Sequence, residues 1–531
     1  MQCKNTIPRP SGRREGVFVT VSAGNSGPNV SSVSNEAPWM LTVATCTMDR
    51  SIRSTIFSSA AGHGGMVSGL GGGGGLRRGT WASGGGPRGG GRPRCHCVGS
   101  RGGGEGPLGR HRWAAGGEGS RAGPQGGGGA LGRGRGRLCR QHNQIEGRQA
   151  YQPANVSAST FYPLVYAGAS GKPYAELCGN GSLDGLDFRG KIVLCELGSE
   201  PGRRIPGAVV KSAGGAGMIL LNTFPHGYTT IAEAHVLPAS HVDYAAASAI
   251  KSYVSSMANA TATDPLPGYD PRHVTGSVDR HLLLPPDIAV PGVSVLAAWP
   301  FQVGPPTASP LPGPTFNFDS STSMSAPHLS GVAALIKSKH PHWSPAAIKS
   351  AIMTTADVTD RAGNPILNEQ RVPADLFATG AGHVNPEKAM DPGLVYDIAA
   401  SDYIGYLCGL YSSRNVSVVA RKRVDCSAVT VIPESMLNYP SILVAFQRTW
   451  NWSTPMAVER TVKNVGEVPA AYRAAVDVFD DAVTVGVYPR ELVFTQVDQE
   501  QSFKVTVWPR RNGAPVVEGA LRPWAGTVWP D

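Results

Sequence analysis

The 531-residue sequence has no apolar run of about 18 residues, so no membrane-spanning helix is expected in it. Its opening residues, MQCKNTIPRP, lack the apolar stretch of a secretory leader, and no signal peptide is expected there. Lysine is absent between residues 62 and 148, and acids are almost absent: Glu105, Glu118 and Glu146 stand against 14 arginines. That excess is larger than the formal +10 of the whole chain, so the basicity belongs to one segment and does not describe the rest. The same segment holds 34 of the 68 glycines and only two aromatics, Trp81 and Trp113, too few to stack bases as a nucleic-acid-binding tail would. It has no helical or strand period. Five consecutive glycines at 71–75 and the string GRGRGR cannot bury enough apolar surface to offset chain entropy. Residues 64–148 are therefore expected to be a disordered Gly/Arg-rich insert, with the look of translated GC-rich sequence.

The remainder is ordinary in composition. With 41% hydrophobic residues the chain can bury real cores, and its length suits two to four domains. Nine cysteines are present, of which Cys95, Cys97 and Cys139 fall in the Gly/Arg block. Cys178 and Cys195, and Cys408 and Cys426, are close enough in sequence for local bridges, buried free thiols being the other reading. Six N-x-S/T sequons, at Asn29, Asn155, Asn180, Asn259, Asn415 and Asn451, lean towards a secreted ancestry. The C-H-C string at 95–97 has no second ligand pair at zinc-like spacing, so no metal or cofactor is expected.

Secondary structure can be read in outline. GVFVTVSAG (16–24) is a buried strand opening into a tight turn, and APWMLTVAT (37–45) is a second strand. GKIVLCEL (190–197) and AGGAGMILLN (213–222) add strands, and residues 235–256 read as strand, turn and helix. Alternating β and α patterns imply an α/β or α+β module. Residues 262–286 are Pro-rich and irregular, and PDIAVPGVSVLAAW (286–299) resumes with a strand. A helix over 325–340 would place Pro327 in its first turn and Leu329, Val332, Leu335 and Ile336 on one apolar face. A second helix, in 343–356, has Ser344 as N-cap and Pro345 at its first position. From Val429 onward, short β runs at 456–466, 482–489 and 501–509 suggest a β-sandwich, and the closing RPWAGTVWPD departs from that pattern.

Two strings carry chemistry. In STSMSAPHLSGVAALIK (321–337), Ser323 lies among small residues at a helix N-terminus, near unpaired backbone N–H groups and the positive end of the helix dipole. That setting favours an attacking alkoxide and the oxyanion it creates, although such a serine is more often only a cap. In SAGNSGP (22–28), Asn25 sits in a Gly-flanked turn at a strand end, where its amide can donate to an oxyanion; alone, it is more often a plain turn.

Taken together with GKIVLCE, PDIAVPGVSVLAAW, GAGHVNPEKAMDPGLVYD (380–397), YPSI (439–442) and ERTVKNVG (459–466), these strings resemble plant subtilisin-like serine proteases, the subtilases of peptidase family S8, in an N-terminally truncated form. The resemblance spans about three quarters of the chain. It implies a doubly wound parallel-sheet α/β core, incomplete here, in residues 1–63 and 266–398. It also implies a protease-associated domain inserted over 149–265 and a truncated fibronectin-III-like β-sandwich over 435–531. By the same resemblance Ser323 is the nucleophile, Asn25 the oxyanion donor, and Ser22, Ala23 and Gly24 wall the substrate pocket. A secreted, apoplastic or cell-wall location and a protein or peptide substrate follow from it, with no nucleic-acid or membrane partner.

The departures are as informative. The family's D-[ST]-G and H-G-T-H strings occur nowhere in the chain. His63 lies outside any family motif, His328 follows the nucleophile without a base role, His383 sits in a structural turn, and Asp319 has no histidine to orient. The glycine of G-T-S-M is replaced by Ser321, whose side chain is expected to interfere where glycine allows a positive φ or a close approach. Two functions therefore stand: a serine endopeptidase working through Ser323 and Asn25, or a catalytically dead chain that at most binds protein.

Overall fold

The computed structural model describes residues 17–25, 33–35, 37–47, 51–59, 142–147, 160–198, 205–263, 268–270, 286–300, 315–446, 450–451, 453–478, 481–510 and 517–526. All but four of these belong to one compact unit, residues 1–57 with 144–531. The Gly/Arg block up to residue 141 lies outside the described residues. Its expected boundary at 148 needs correction, because His142–Gly147 is a strand. The Gly/Arg run ends after Arg140, and the six residues HNQIEG contain a single glycine.

Three parallel strands form the sheet that carries the site, in the order Thr20–Ser22, Leu41–Thr47, Ile288–Val293. The central strand, LTVATCT, is buried along its whole length, as a strand covered on both faces must be. Its two neighbours come from opposite sides of everything else the chain inserts between Thr47 and Ile288. On one face lies the helix Thr322–Lys339, whose Leu329, Ala333 and Ile336 pack with Leu41, Val43, Ile288 and Val290. Full burial of a side chain such as Leu329 or Ile336 contributes about 1.5–3 kcal/mol. Val332 packs against the same cluster, but Leu335 does not belong to this face: it is 55% exposed. The apolar stripe runs i, i+3, i+4, i+7 from Leu329, and Leu335 falls beside it. Helix Pro345–Thr354 follows, with the Ser344 hydroxyl accepting from the Ala347 N–H at 2.9 Å and Pro345 at its start, as its sequence requires.

A second sheet holds four parallel strands, Tyr162–Tyr166, Ile192–Glu196, Gly217–Leu221 and Ala239–Val242. Helices Ile205–Ser212 and Tyr244–Ser256 accompany it, and separate apolar clusters lie around Val193 and Leu220 and around Leu194 and Ile219. Cys178 and Cys195 are bridged, as are Cys408 and Cys426, whereas Cys46 is a buried free thiol whose pKa burial pushes up. Most of 262–286 lies outside the described residues, but two short strands fall at its start. Thr261–Thr263 pairs antiparallel with Tyr162–Tyr166, and Gly268–Asp270 with Ser51–Ser59. Both pairings come from strands remote in sequence, so local composition gives no sign of them.

The C-terminal part is two antiparallel sheets. Leu394–Val395, Met456–Asn464, Glu500–Pro509 and Val483–Tyr488 make one; Glu491–Phe494, Ala470–Val478 and Gly519–Gly526 make the other. Val462, Phe494, Phe503 and Val505 share their core. The departure expected at RPWAGTVWPD is corrected for its first five residues, which continue the last strand, Pro523 standing opposite Ala474. That strand is at a sheet edge, where proline is tolerated because one side of the strand needs no ladder donors. Among the described residues, no helix is long and apolar enough to cross a membrane.

Candidate active site

Asn25 reaches the site because its strand ends one turn earlier. Val21 and Ser22 pair with Thr42 and Val43, and the Ala23 N–H still donates to the Val43 carbonyl at 2.9 Å. Gly24 then takes φ 97°, a left-handed value that side-chain-bearing residues avoid, and turns the chain so that Asn25 meets the helix Thr322–Lys339. The Asn25 Oδ1 accepts from the Thr322 backbone N–H at 3.0 Å and from the Thr322 hydroxyl at 2.9 Å. The same hydroxyl lies 3.2 Å from the Gly24 carbonyl. The Asn25 Nδ2 donates to the Ser321 Oγ at 3.0 Å, and the Ser323 N–H donates to that Oγ at 2.9 Å. Thr322 is buried beneath this network and the Ser323 side chain is exposed above it. The structure thus brings Asn25 and Ser323 together from positions far apart in the sequence, with Ser22, half-buried, and Ala23, buried, on the strand leading in.

Two sequence expectations are corrected at this helix. It begins at Thr322, not near 325, so Pro327 lies inside it rather than in its first turn. Proline there withholds the N–H that would bond to the Ser323 carbonyl. The Ser321 backbone is also unstrained: φ is −177°, extended, a value any residue adopts. The consequence of serine at this position lies in its side chain, not its backbone.

Gly292 was not foreseen as a site residue, and nothing in PDIAVPG marks it. Its carbonyl accepts from the Ser321 N–H at 2.9 Å, and beside it the Ser325 hydroxyl donates to the Val290 carbonyl at 3.0 Å. A Cβ on Gly292 would lie 1.9 Å from Ser325 Oγ, 2.3 Å from Thr45 Oγ1 and 2.8 Å from the Ser321 carbonyl. Gly292→Ala is therefore expected to push the helix start away from the sheet, with a loss of about 1–3 kcal/mol. Chemical denaturation measures the loss, and 15N NMR reads the displacement of the Asn25 side-chain amide. An unchanged midpoint and spectrum would contradict this packing.

Among the described residues, no side chain is hydrogen-bonded to the Ser323 Oγ. The His328 Nδ1–H donates to the Met324 carbonyl of its own helix at 3.0 Å, and the His383 Nδ1–H to the Val384 carbonyl at 2.9 Å. The Asp319 carboxylate accepts from the Ser320 N–H at 2.8 Å. His63 lies outside the described residues. Among the described residues, no group of three His, Cys, Asp or Glu side chains is placed to hold a metal ion. A cavity of about 1120 Å³ lined by Trp39, Trp343, Lys349 and Tyr403 includes neither Asn25 nor Ser323 and is separate from this site.

The profile of the Subtilase family matches residues 2–382, and that of the fibronectin type-III domain matches residues 436–526. The subtilisin-like protease SBT1.6 of Arabidopsis thaliana is 35% identical over 93% of this chain and 55% of its own length. SBT1.2 of the same plant is 41% identical over 62% of this chain and 44% of its own length. Among solved structures, a psychrophilic subtilisin-like protease, Apa1, from an Antarctic Pseudoalteromonas aligns over 71% of this chain and 63% of its own, at 15% identity and a TM-score of 0.24, too slight to carry an argument. The chain belongs to the subtilase family of serine-type peptidases. It spans about half the length of the curated relatives it matches.

Proposed function

We propose that this chain is the nucleophile-bearing part of a secreted serine endopeptidase. In this reading the Ser323 Oγ attacks a peptide carbonyl, Asn25 Nδ2 donates to the oxyanion that forms, and Ser22, Ala23 and Gly24 wall the substrate. The parallel sheet within 149–265 is read as a protease-associated domain, and 266–398 as the C-terminal part of the catalytic domain. The observation that carries the reading is the interlock of Asn25 with Ser321 and Thr322, which fixes a side-chain amide beside the N–H of an exposed serine.

Attack also requires a group to take the Ser323 proton and a second to orient it. Neither family string for those groups is present in the 531 residues, and no histidine among the described residues is hydrogen-bonded to the Ser323 hydroxyl. A serine without a base is almost wholly protonated at neutral pH and a weak nucleophile. That observation favours a second reading of the chain as it stands, a protein that binds peptide without cutting it.

Casein hydrolysis tests the reading. The present chain is expected to show none. A version carrying upstream D-[ST]-G and H-G-T-H segments from a relative, with residues 64–141 excised, is expected to hydrolyse casein. In that version Ser323→Ala should abolish turnover, and Asn25→Ala should lower kcat by about 10²–10³, the loss known for the corresponding donor in a subtilisin. Turnover that survives Ser323→Ala would overturn the assignment.

A further inference from the structure

We propose that the Ser321 hydroxyl is a built-in plug: it occupies the position the substrate oxyanion would take. This rests on the reading of Ser323 and Asn25 given above. An oxyanion created at Ser323 needs preorganised donors aimed at a single oxygen, commonly a side-chain amide and a backbone N–H. Two such donors are present, the Asn25 Nδ2 and the Ser323 N–H, and they converge on one oxygen already. That oxygen is the Ser321 Oγ, 3.0 Å from the first and 2.9 Å from the second. These are the distances at which each donor would hold an oxyanion.

The contact is local and low in strain. Ser321 is the N-cap of the helix, and its backbone is extended. A capping hydroxyl normally satisfies one free N–H of the first turn. Here the same oxygen also accepts from Asn25, which is remote in sequence, and so couples the cap to the strand Thr20–Ser22. A glycine at 321 would cap the helix nearly as well and leave both donors free. A substrate carbonyl can enter only if the Ser321 side chain rotates away and surrenders both bonds. The plug therefore acts on oxyanion binding, and it leaves the Ser323 hydroxyl itself exposed.

The test uses the full chain and two readouts. The first is hydrogen exchange of the Ser323 amide and the 1H–15N signal of the Asn25 side chain, compared between the wild type, Ser321→Gly and Ser321→Thr. The second is adduct formation with phenylboronic acid at neutral pH, where the free boronic acid stays trigonal, followed by the trigonal-to-tetrahedral change in the 11B resonance. In that reaction the Ser323 Oγ bonds to boron and its proton passes to solvent, and one oxygen of the anionic boronate takes the place of the oxyanion. Ser321→Gly is expected to speed Ser323 amide exchange tenfold or more, to shift the Asn25 amide signals, and to tighten boronate binding at least tenfold. Ser321→Thr keeps the hydroxyl and should behave as the wild type. Adding Ser323→Ala to Ser321→Gly should remove the adduct.

Equal boronate binding by wild type and Ser321→Gly, abolished in both by Ser323→Ala, would overturn the plug while leaving the nucleophile in place. Unchanged Ser323 exchange in Ser321→Gly would overturn it whatever the boronate does. Faster exchange with no adduct, even in the version extended with D-[ST]-G and H-G-T-H segments, would instead overturn the reading of Ser323, and with it the claim that the occupied donors are an oxyanion site.

Discussion

Replacing Lys349 by alanine is expected to remove about 3–5 kcal/mol of stability, the usual consequence of leaving one buried charge without its partner. Lys349 is 4% exposed and Asp287 8% exposed. The Lys349 Nζ lies 2.9 Å from the Asp287 Oδ2 and donates to the Met40 carbonyl at 2.5 Å. Burial pushes the ammonium pKa down, and the neighbouring carboxylate opposes that shift. The Thr42 N–H donates to the Asp287 Oδ2 at 2.7 Å, and the Tyr439 hydroxyl donates to the Oδ1. Burial, and after it the Asp287 charge, holds the Tyr439 phenol well above its ordinary pKa, so it remains a donor. The Lys349 Nζ also lies 4.3 Å from the centre of the Tyr439 ring.

This cluster ties together the central strand, the start of its neighbour at Ile288, helix Pro345–Thr354 and the segment that leads into the C-terminal sandwich. Lys349→Ala strips the cation and leaves a buried carboxylate without its counter-charge. Lys349→Met with Asp287→Asn removes both charges and should recover most of the loss, because a buried pair contributes little over neutral groups of similar size. Urea unfolding followed by circular dichroism measures both. A loss under about 1 kcal/mol for Lys349→Ala would show that the charge is not confined as the structure has it.

What could be read in advance depended on how local the physics was. The start of helix Pro345–Thr354 was legible because a serine cap followed by proline is a signal contained in two residues. The start of Thr322–Lys339 was placed too late because proline inside a helix is unusual, and the first turn is held by Asn25, far away in sequence. Thr261–Thr263 and Gly268–Asp270 went unread because their pairing partners are remote. At the site, Asn25 and Ser323 stood out through their surrounding strings, and the structure brings them together. Ser321 stands out in sequence because it replaces a glycine; its φ of −177° removes the positive-φ reason, and the particular side-chain contact it makes with Asn25 needs coordinates to see. Gly292 carries no sequence signal, because its requirement comes from Ser325 and Thr45 crowding a position that has no side chain.

We propose Ser323 as the family nucleophile, and among the described residues no base is hydrogen-bonded to it. Removing the base from a serine protease lowers turnover by about 10⁶, since the catalytic residues act as a unit. Labelling by a fluorophosphonate probe tests the claim most directly, because the probe reports an activated serine without requiring a known substrate. The present chain is expected to label no more than its Ser323→Ala variant. The version extended with D-[ST]-G and H-G-T-H segments is expected to label at Ser323, with the label located by peptide mass spectrometry. Stoichiometric labelling of the present chain at Ser323 would contradict the account, since it would require a base that neither the sequence motifs nor the described structure supplies.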